Sequence, residues 1–113
     1  MLQRKHQSFK DGMARFYTVS SVDNKDSLTY LRTLRYENRT VGFNRFYTAL
    51  QANVKFDCLI RFPSNQGVTA EEIVILNDGK QYDIIQIQYP EDISPPVMDY
   101  TLRKRKTEYD IGG

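Results

Sequence analysis

The chain has 113 residues, with 16 Lys and Arg against 14 Asp and Glu, so its formal net charge is only +2. It contains one Cys and one His, no Trp, eight Tyr and six Phe. This length predicts a single domain, and the charge balance excludes a strongly basic nucleic-acid binder. Leu, Ile, Val and Phe form about a quarter of the chain, which favours a folded core over disorder.

Membrane insertion and secretion are both disfavoured. The longest aliphatic run, Ile73–Leu76, is far shorter than the ~20 residues that span a bilayer. The basic N-terminus lacks the apolar stretch of a signal peptide, and a single Cys cannot form an internal disulfide. We therefore expect a protein of the reducing cytoplasm before any assembly.

The first half of the chain predicts a flexible arm or short helix over 1–14, followed by a β-hairpin. Arg15–Val22 is rich in aromatic and β-branched residues, and the polar stretch Asp23–Asp26 favours a turn. A second strand is predicted over Ser27–Thr40. Its apolar residues are predicted on one face, with Arg32 breaking the pattern: Leu28, Tyr30, Leu34 and Tyr36.

Gly42 marks a change of period. Four large apolar residues then follow at i, i+3, i+4 and i+7, which is one stripe of an α-helix: Phe43, Phe46, Tyr47 and Leu50. The pattern predicts one short helix over about Phe43–Ala52.

Strand periodicity returns after the helix. Val54–Phe62 alternates apolar and polar residues, and Pro63 ends it. Ile73–Leu76 is predicted as a short buried strand, and Asp78-Gly79 as a hairpin turn. The return strand, Gln81–Tyr89, is apolar on both faces, which favours a central strand or a bulge.

An acidic, proline-rich loop, Tyr89–Pro96, leads to a last strand over Val97–Lys104. We predict that Met98, Tyr100 and Leu102 of this strand point inward, and that 107–113 form a flexible tail. The fold class is mainly β (α+β), a small, partly closed antiparallel β-barrel or sandwich of about six strands with one short helix. Residues 15–106 form its single domain.

Catalytic and metal-binding patterns are not apparent. Cys58 lies on the inward side of its predicted strand, and the lone imidazole, His6, lies in the arm, so an inert buried thiol is expected. One His and one Cys cannot supply a tetrahedral metal site. We expect neither enzymatic activity nor a cofactor.

The small net charge conceals opposed segments. Residues 1–45 hold nine basic and four acidic side chains, whereas residues 57–99 hold two basic and eight acidic ones. This pattern has two interpretations. The protein has surfaces of opposite charge that are both solvated, or its basic surface contacts the acidic surface of a neighbouring copy.

Aromatic and basic residues are interspersed in the first predicted hairpin, which is also compatible with a second class of protein. This class is a single-stranded nucleic-acid-binding barrel related to oligonucleotide-binding folds. Its platform would consist of Tyr30, Arg32, Arg35, Tyr36 and Arg39. Core packing is the commoner reason for aromatics at this spacing.

Four segments resemble the head–tail joining proteins of long-tailed bacteriophages, the small head-closure or head completion subunits: GFNRFYTAL (42–50), Phe56–Phe62, VILNDGKQYDIIQIQ (74–88) and TLRKR (101–105). The resemblance covers about Phe16–Lys106. It includes a helix with an RFYxAxQ-like face and an Asp-Gly-Lys-x-Tyr-x-Ile hairpin, which begins here at Asp78.

The resemblance implies a structural virion or prophage protein that forms a ring, usually of twelve subunits, below the portal or its adaptor. Such a ring helps to retain packaged double-stranded DNA, without sequence-specific contact, and docks the tail. A tail-completion subunit of related fold is the alternative within this class.

Candidate partner-contacting residues follow from charge and predicted position. Those expected at partner interfaces are Arg103, Lys104, Arg105, Lys106, Arg32, Arg35, Arg39, Glu71, Glu72, Glu91 and Asp92. A possible channel or docking loop consists of Pro63, Ser64, Asn65, Gln66, Gly67, Val68, Thr69 and Ala70. A basic tail at Arg103–Lys106 that docks on an acidic partner is as compatible with the sequence as a solvated strand end.

Overall fold

The computed structural model describes residues 9–39, 56–64, 67–91 and 93–111. The described part contains seven strands and no helix: β1 (Gly12–Val22), β2 (Lys25–Asn38), β3 (Cys58–Pro63), β4 (Ile73–Ile75), β5 (Gln81–Gln88), β6 (Val97–Lys104) and β7 (Asp110–Ile111). The predicted helix, Phe43–Ala52, lies outside the described residues.

A long antiparallel hairpin, β1 with β2, begins the fold. Asp23 and Asn24 both have positive φ, 53° and 62°, which is the conformation that a two-residue turn of matching twist requires. Asn and Asp tolerate this region better than other non-glycine residues do. The predicted hairpin is confirmed, although β1 begins at Gly12, within the segment predicted as an arm or short helix.

The sheet closes on itself. Its strand order is β1-β4-β5-β6-β3-β2, and β1 also pairs with β2, so six strands form a ring of hydrogen-bonded neighbours. All pairs within this ring are antiparallel, and β7 adds to β2 in parallel. The predicted fold class, a mainly β and partly closed antiparallel sheet, is confirmed.

The inner cluster fills the ring, and its buried members are Ala14, Phe16, Tyr36, Ile60, Phe62, Val74, Leu76, Tyr82, Ile84, Met98, Tyr100 and Leu102. Phe62 lies at its centre, with its ring centroid 4.9 Å from that of Tyr100 and 5.1 Å from that of Phe16, both in edge-to-face geometry. Such aromatic pairs stabilise by more than the area they bury. The predicted inward residues of β6 belong to this cluster: Met98, Tyr100 and Leu102.

A register shift in the hairpin redirects the second strand. Phe16 pairs with Arg32 but Tyr17 pairs with Tyr30, so Leu31 is an extra residue on β2. A bulge of this kind moves later side chains to the other face of the strand. Leu34 therefore packs on the inner cluster, whereas the earlier Leu28 packs outside the ring. The prediction of one shared apolar face was wrong.

The outer cluster lies on the outside of β1, β2 and β4. Tyr17, Leu28, Ile73 and Ile75 form it, with Val19 and Tyr109 packed against it. This second apolar surface makes the short strand β4 buried on both faces.

Two further local predictions are confirmed. The register of β5 against β6 shifts between Ile84 and Gln86, which leaves Ile85 as the bulge residue. Gly79 has a φ of 75° in the tight turn between β4 and β5, a conformation that costs glycine least.

The C-terminal strap, residues 105–111, lies against the outside of the sheet, although the sequence predicts a tail from 107. The Gln81 side chain is 3% exposed and bonds the Tyr109 backbone twice: Nε2 donates to the carbonyl and Oε1 accepts from the amide, each at 2.8 Å. The Gln81 amide donates to the Glu108 carboxylate at 3.1 Å. The strap thereby covers the outer cluster.

We expect Gln81→Ala to release the strap. The substitution removes the two hydrogen bonds between the buried Gln81 side chain and the Tyr109 backbone. Their loss should lower the free energy of unfolding by about 1–3 kcal/mol and speed hydrogen exchange of the Tyr109 backbone amide. Lys80→Ala, at an exposed turn position, is the control and should change neither quantity. Unchanged Tyr109 exchange in Gln81→Ala would contradict the role of this side chain.

Candidate functional site

A basic groove lies where β6 ends and the strap begins. It is a cavity of about 450 Å³, and its lining consists of Asp83, Arg103, Lys104, Arg105, Lys106 and Thr107. Four consecutive cations, Arg103 to Lys106, belong to this lining. We take this groove as the candidate site.

Backbone pairing fixes the position of the basic run. Arg103 and Lys104 are the last residues of β6, opposite Asp83 and Tyr82 of β5. The Lys104 amide donates to the Asp57 carboxylate at 2.6 Å, and the Arg105 amide donates to the Gln81 carbonyl at 2.9 Å. The cations therefore extend from a rigid strand end.

Arg105 differs from its neighbours because its guanidinium is engaged within the chain. Nη1 donates to Asp83 Oδ1 at 2.7 Å, Nε donates to the Thr107 carbonyl at 3.1 Å, and the guanidinium carbon lies 4.3 Å from the centroid of the Tyr109 ring. These contacts tie the strap to β5. Arg105 is thus a structural residue of the groove.

The other three cations of the groove face solvent. Arg103, Lys104 and Lys106 are exposed and form no ion pair with any described residue. Cations on a fixed backbone bind carboxylate- or phosphate-bearing surfaces mainly by electrostatic attraction, which speeds encounter and sets orientation. The exposed charge of these three side chains is therefore not neutralised by an ion pair with a described residue.

Two predicted interface residues, Arg32 and Glu72, bind each other instead of standing free. Arg32 Nη1 donates to Glu72 Oε1, and the second Glu72 oxygen accepts from the Thr69 amide at 2.8 Å. The guanidinium carbon of Arg32 lies 5.7 Å from the centroid of Phe16. The pair is partly buried, since Glu72 is only 6% exposed.

The remaining predicted interface residues do not share the groove. Arg39 pairs with Glu37 at 2.8 Å, whereas Arg35, Glu71 and Glu91 are exposed on other parts of the sheet and its loops. Asp92 lies outside the described residues.

The predicted docking loop, 63–70, is attached to the body at two points. Ser64 donates its amide to the Pro96 carbonyl at 2.9 Å, and Val68 packs against the inner cluster. Its middle residues, Asn65 and Gln66, lie outside the described residues.

The aromatic and basic platform of the nucleic-acid hypothesis is not assembled on one surface. Tyr36 is buried in the inner cluster, Arg32 is paired with Glu72, and Tyr30 faces the other side of the sheet beside Tyr17. The bulge at Leu31 separates them, because it changes the face that each side chain takes.

Cys58 is half-buried and packs against the inner cluster. Burial, reinforced by the nearby Asp57 carboxylate, raises the pKa of its thiol to about 12. A thiol with such a pKa is almost entirely protonated at neutral pH and is a poor nucleophile. In the described part, no three His, Cys, Asp or Glu side chains are grouped to hold a metal ion.

A buried ion pair is the feature that the sequence analysis missed. Arg61 on β3 and Asp99 on β6 are directly opposite and bond twice, Nε to Oδ1 at 2.7 Å and Nη2 to Oδ2 at 2.9 Å. Both are buried, and losing one partner of such a pair is strongly destabilising. The only sequence signal is a charge inside each of two apolar strands.

Comparison with known protein families and with curated proteins finds no match to this chain. Among the residues that the structure describes, no helix is long and apolar enough to cross a membrane.

The Cys58 thiol gives a pH prediction. Its pKa is raised on folding, so its contribution to stability is complete below the ordinary thiol value near 8.5 and is lost as pH rises towards about 12. Thiolate absorbance of the native chain should thus appear only at strongly alkaline pH. Thiolate formation near pH 8.5 in the folded chain would contradict the burial.

Arg103→Ala and Arg105→Ala separate exposed from structural cations. Arg105→Ala should lower the free energy of unfolding by about 1 kcal/mol, because it removes a partly screened ion pair and a cation–π contact. Arg103→Ala should change it by less than about 0.5 kcal/mol. Equal effects in thermal unfolding would contradict the distinction.

Proposed function

We propose that this protein is a non-enzymatic head-closure, or head–tail joining, subunit of a long-tailed bacteriophage. In this role copies form a ring below the portal or its adaptor, help to retain the packaged DNA, and dock the tail. The basic groove binds an acidic surface of the neighbouring ring.

Support for the class comes from the resemblance over Phe16–Lys106. The segments that carry it are elements of the fold: VILNDGKQYDIIQIQ spans β4, the Gly79 turn and β5, and TLRKR ends β6. The part of the family pattern over 42–50 lies outside the described residues. The closed sheet supplies the rigid body that a ring subunit needs.

Support for the docking role comes from the groove, which is the observation that carries the proposal. Arg103, Lys104 and Lys106 are exposed and unpaired among the described residues, whereas Arg105 holds the backbone beneath them. An interface that relies on exposed charge gains orientation and a faster on-rate. Charge reversal there should consequently leave the fold unchanged.

The experiment uses the triple variant Arg103→Glu, Lys104→Glu and Lys106→Glu in phage particles. We expect DNA-filled heads without tails, a loss of infectious particles of at least tenfold, and a melting temperature close to that of the wild type. The physical reason is that like charges then face each other across the joint.

A matched control is the triple Gln variant at the same positions, which removes charge without reversing it and should have a smaller effect. Electron microscopy of wild-type particles should place the protein in a ring between portal and tail. Normal tail joining in heads that lack this protein would overturn the proposed function.

A further inference from the structure

Among the strands that the structure describes, one edge of β2 is unpaired over a long stretch. Along this edge β2 pairs with β7 at Ser27 and Leu28 and with β3 at Glu37 and Asn38. Between them, no described strand pairs with Thr29–Tyr36. Tyr30 and Leu31 are 46% and 40% exposed in this stretch, so the edge is accessible to another chain.

The opposite edge of the hairpin is also unpaired beyond Tyr17, as far as the described strands go. β1 pairs with β4 only at Arg15–Tyr17, so no described strand covers the outer edge of Thr18–Val22. This stretch, TVSSV, holds neither a charged residue nor a proline, the devices that commonly protect edge strands from pairing. Val22 at its end is 66% exposed.

Backbone groups point outward on both edges. The two-residue turn makes Val22 and Lys25 the hydrogen-bonded pair of the hairpin. Hydrogen-bonded and non-hydrogen-bonded pairs alternate along the hairpin. Ser21 belongs to a non-hydrogen-bonded pair, so its N–H and C=O point away from β2. On β2, the Tyr36 carbonyl accepts from the Asp11 amide on the β1 side, so the backbone groups of Thr33 point away from β1.

We propose that copies of this chain associate head to tail by strand pairing, with β1 residues Thr18–Val22 of one copy added to the open edge of β2, Thr29–Tyr36, of the next. Each copy offers one edge of each kind. The contact is heterologous, and repeated addition gives a ring when the rotation closes.

A second copy is the occupant because the two edges complement each other. Five residues at about 3.4 Å each fit within the eight-residue opening. The β1 stretch is uncharged and adjoins exposed Asp23 at the turn, whereas the β2 stretch carries exposed Arg35. Pairing β2 with a second β2 edge would instead bring two basic stretches together, which is unfavourable.

The association should be weak. A five-residue strand pair buries less than the roughly 1,000 Å² of stable complexes, so purified chain should associate in a concentration-dependent manner. This inference extends the ring assembly of the proposed function. It is tested on the purified full chain without phage components, so its failure is distinguishable from failure of head–tail joining.

Two proline variants test the inference by sedimentation velocity over a concentration series. Ser21→Pro removes the outward donor of β1, and Thr33→Pro removes that of β2, in both cases an amide that the hairpin does not use. We expect wild type to form species larger than a dimer, and each variant alone to remain a monomer. An equal mixture should stop at a dimer, because only one competent pair of edges remains.

Ser21→Ala and Thr33→Ala are the matched controls. They remove the hydroxyl contacts to Asp26 and Tyr30 but keep the backbone amides, so they should assemble as wild type does. A monomeric wild type up to its solubility limit would overturn the inference. So would self-association of Ser21→Pro alone, which would indicate pairing of two β2 edges.

Cross-linking keeps the test decisive if a proline variant does not fold. Ser21→Cys and Thr33→Cys are made separately in a Cys58→Ser background and treated with a short thiol-specific cross-linker. Cross-linked dimers should form in the mixture and not in either variant alone. Equal cross-linking in the single variants would overturn the head-to-tail arrangement.

Discussion

The double pairing of β1 is the constraint on which the rest of the structure depends. β2 occupies one edge of β1 and β4 the other, so the sheet becomes a ring around Phe16. Where its strands pair, the ring has no free edge, and large aromatic rings fill its interior. The Arg32–Glu72 pair gives the charge of Arg32, on an inward position of β2, a buried partner.

Two surfaces of the sheet are buried because β2 changes face at Leu31. Before the bulge its apolar residues belong to the outer cluster, and after it they belong to the inner cluster. The outer cluster needs its own cover, which the C-terminal strap supplies through Gln81 and Tyr109. The apolar residues of β2 do not fit a single inward face along the whole strand. They fit when the segments before and after Leu31 are assigned to opposite faces of the sheet.

The four cations of the basic run, Arg103 to Lys106, have different roles because their side chains have different surroundings. Arg105 is held by Asp83 and the Tyr109 ring, so its charge stabilises the strap. Its neighbours reach solvent from the same backbone and remain available to an anionic partner. The unpaired edges of the hairpin lie on β1 and β2, so the proposed docking and the proposed self-association involve different surfaces.

The sequence by itself determined the six strands of the ring, the two turns and the inward residues of β6, but not β7, because alternation and turn chemistry are local properties. It also located the basic run, which is contiguous. Only the tertiary structure decided that β1 closes the ring, that Arg61 pairs with Asp99, and that Arg32 meets Glu72 while Arg105 meets Asp83. These pairings join residues 22 to 40 positions apart, and which of them meet depends on how distant strands are arranged in the ring, which the local pattern of a single strand does not give.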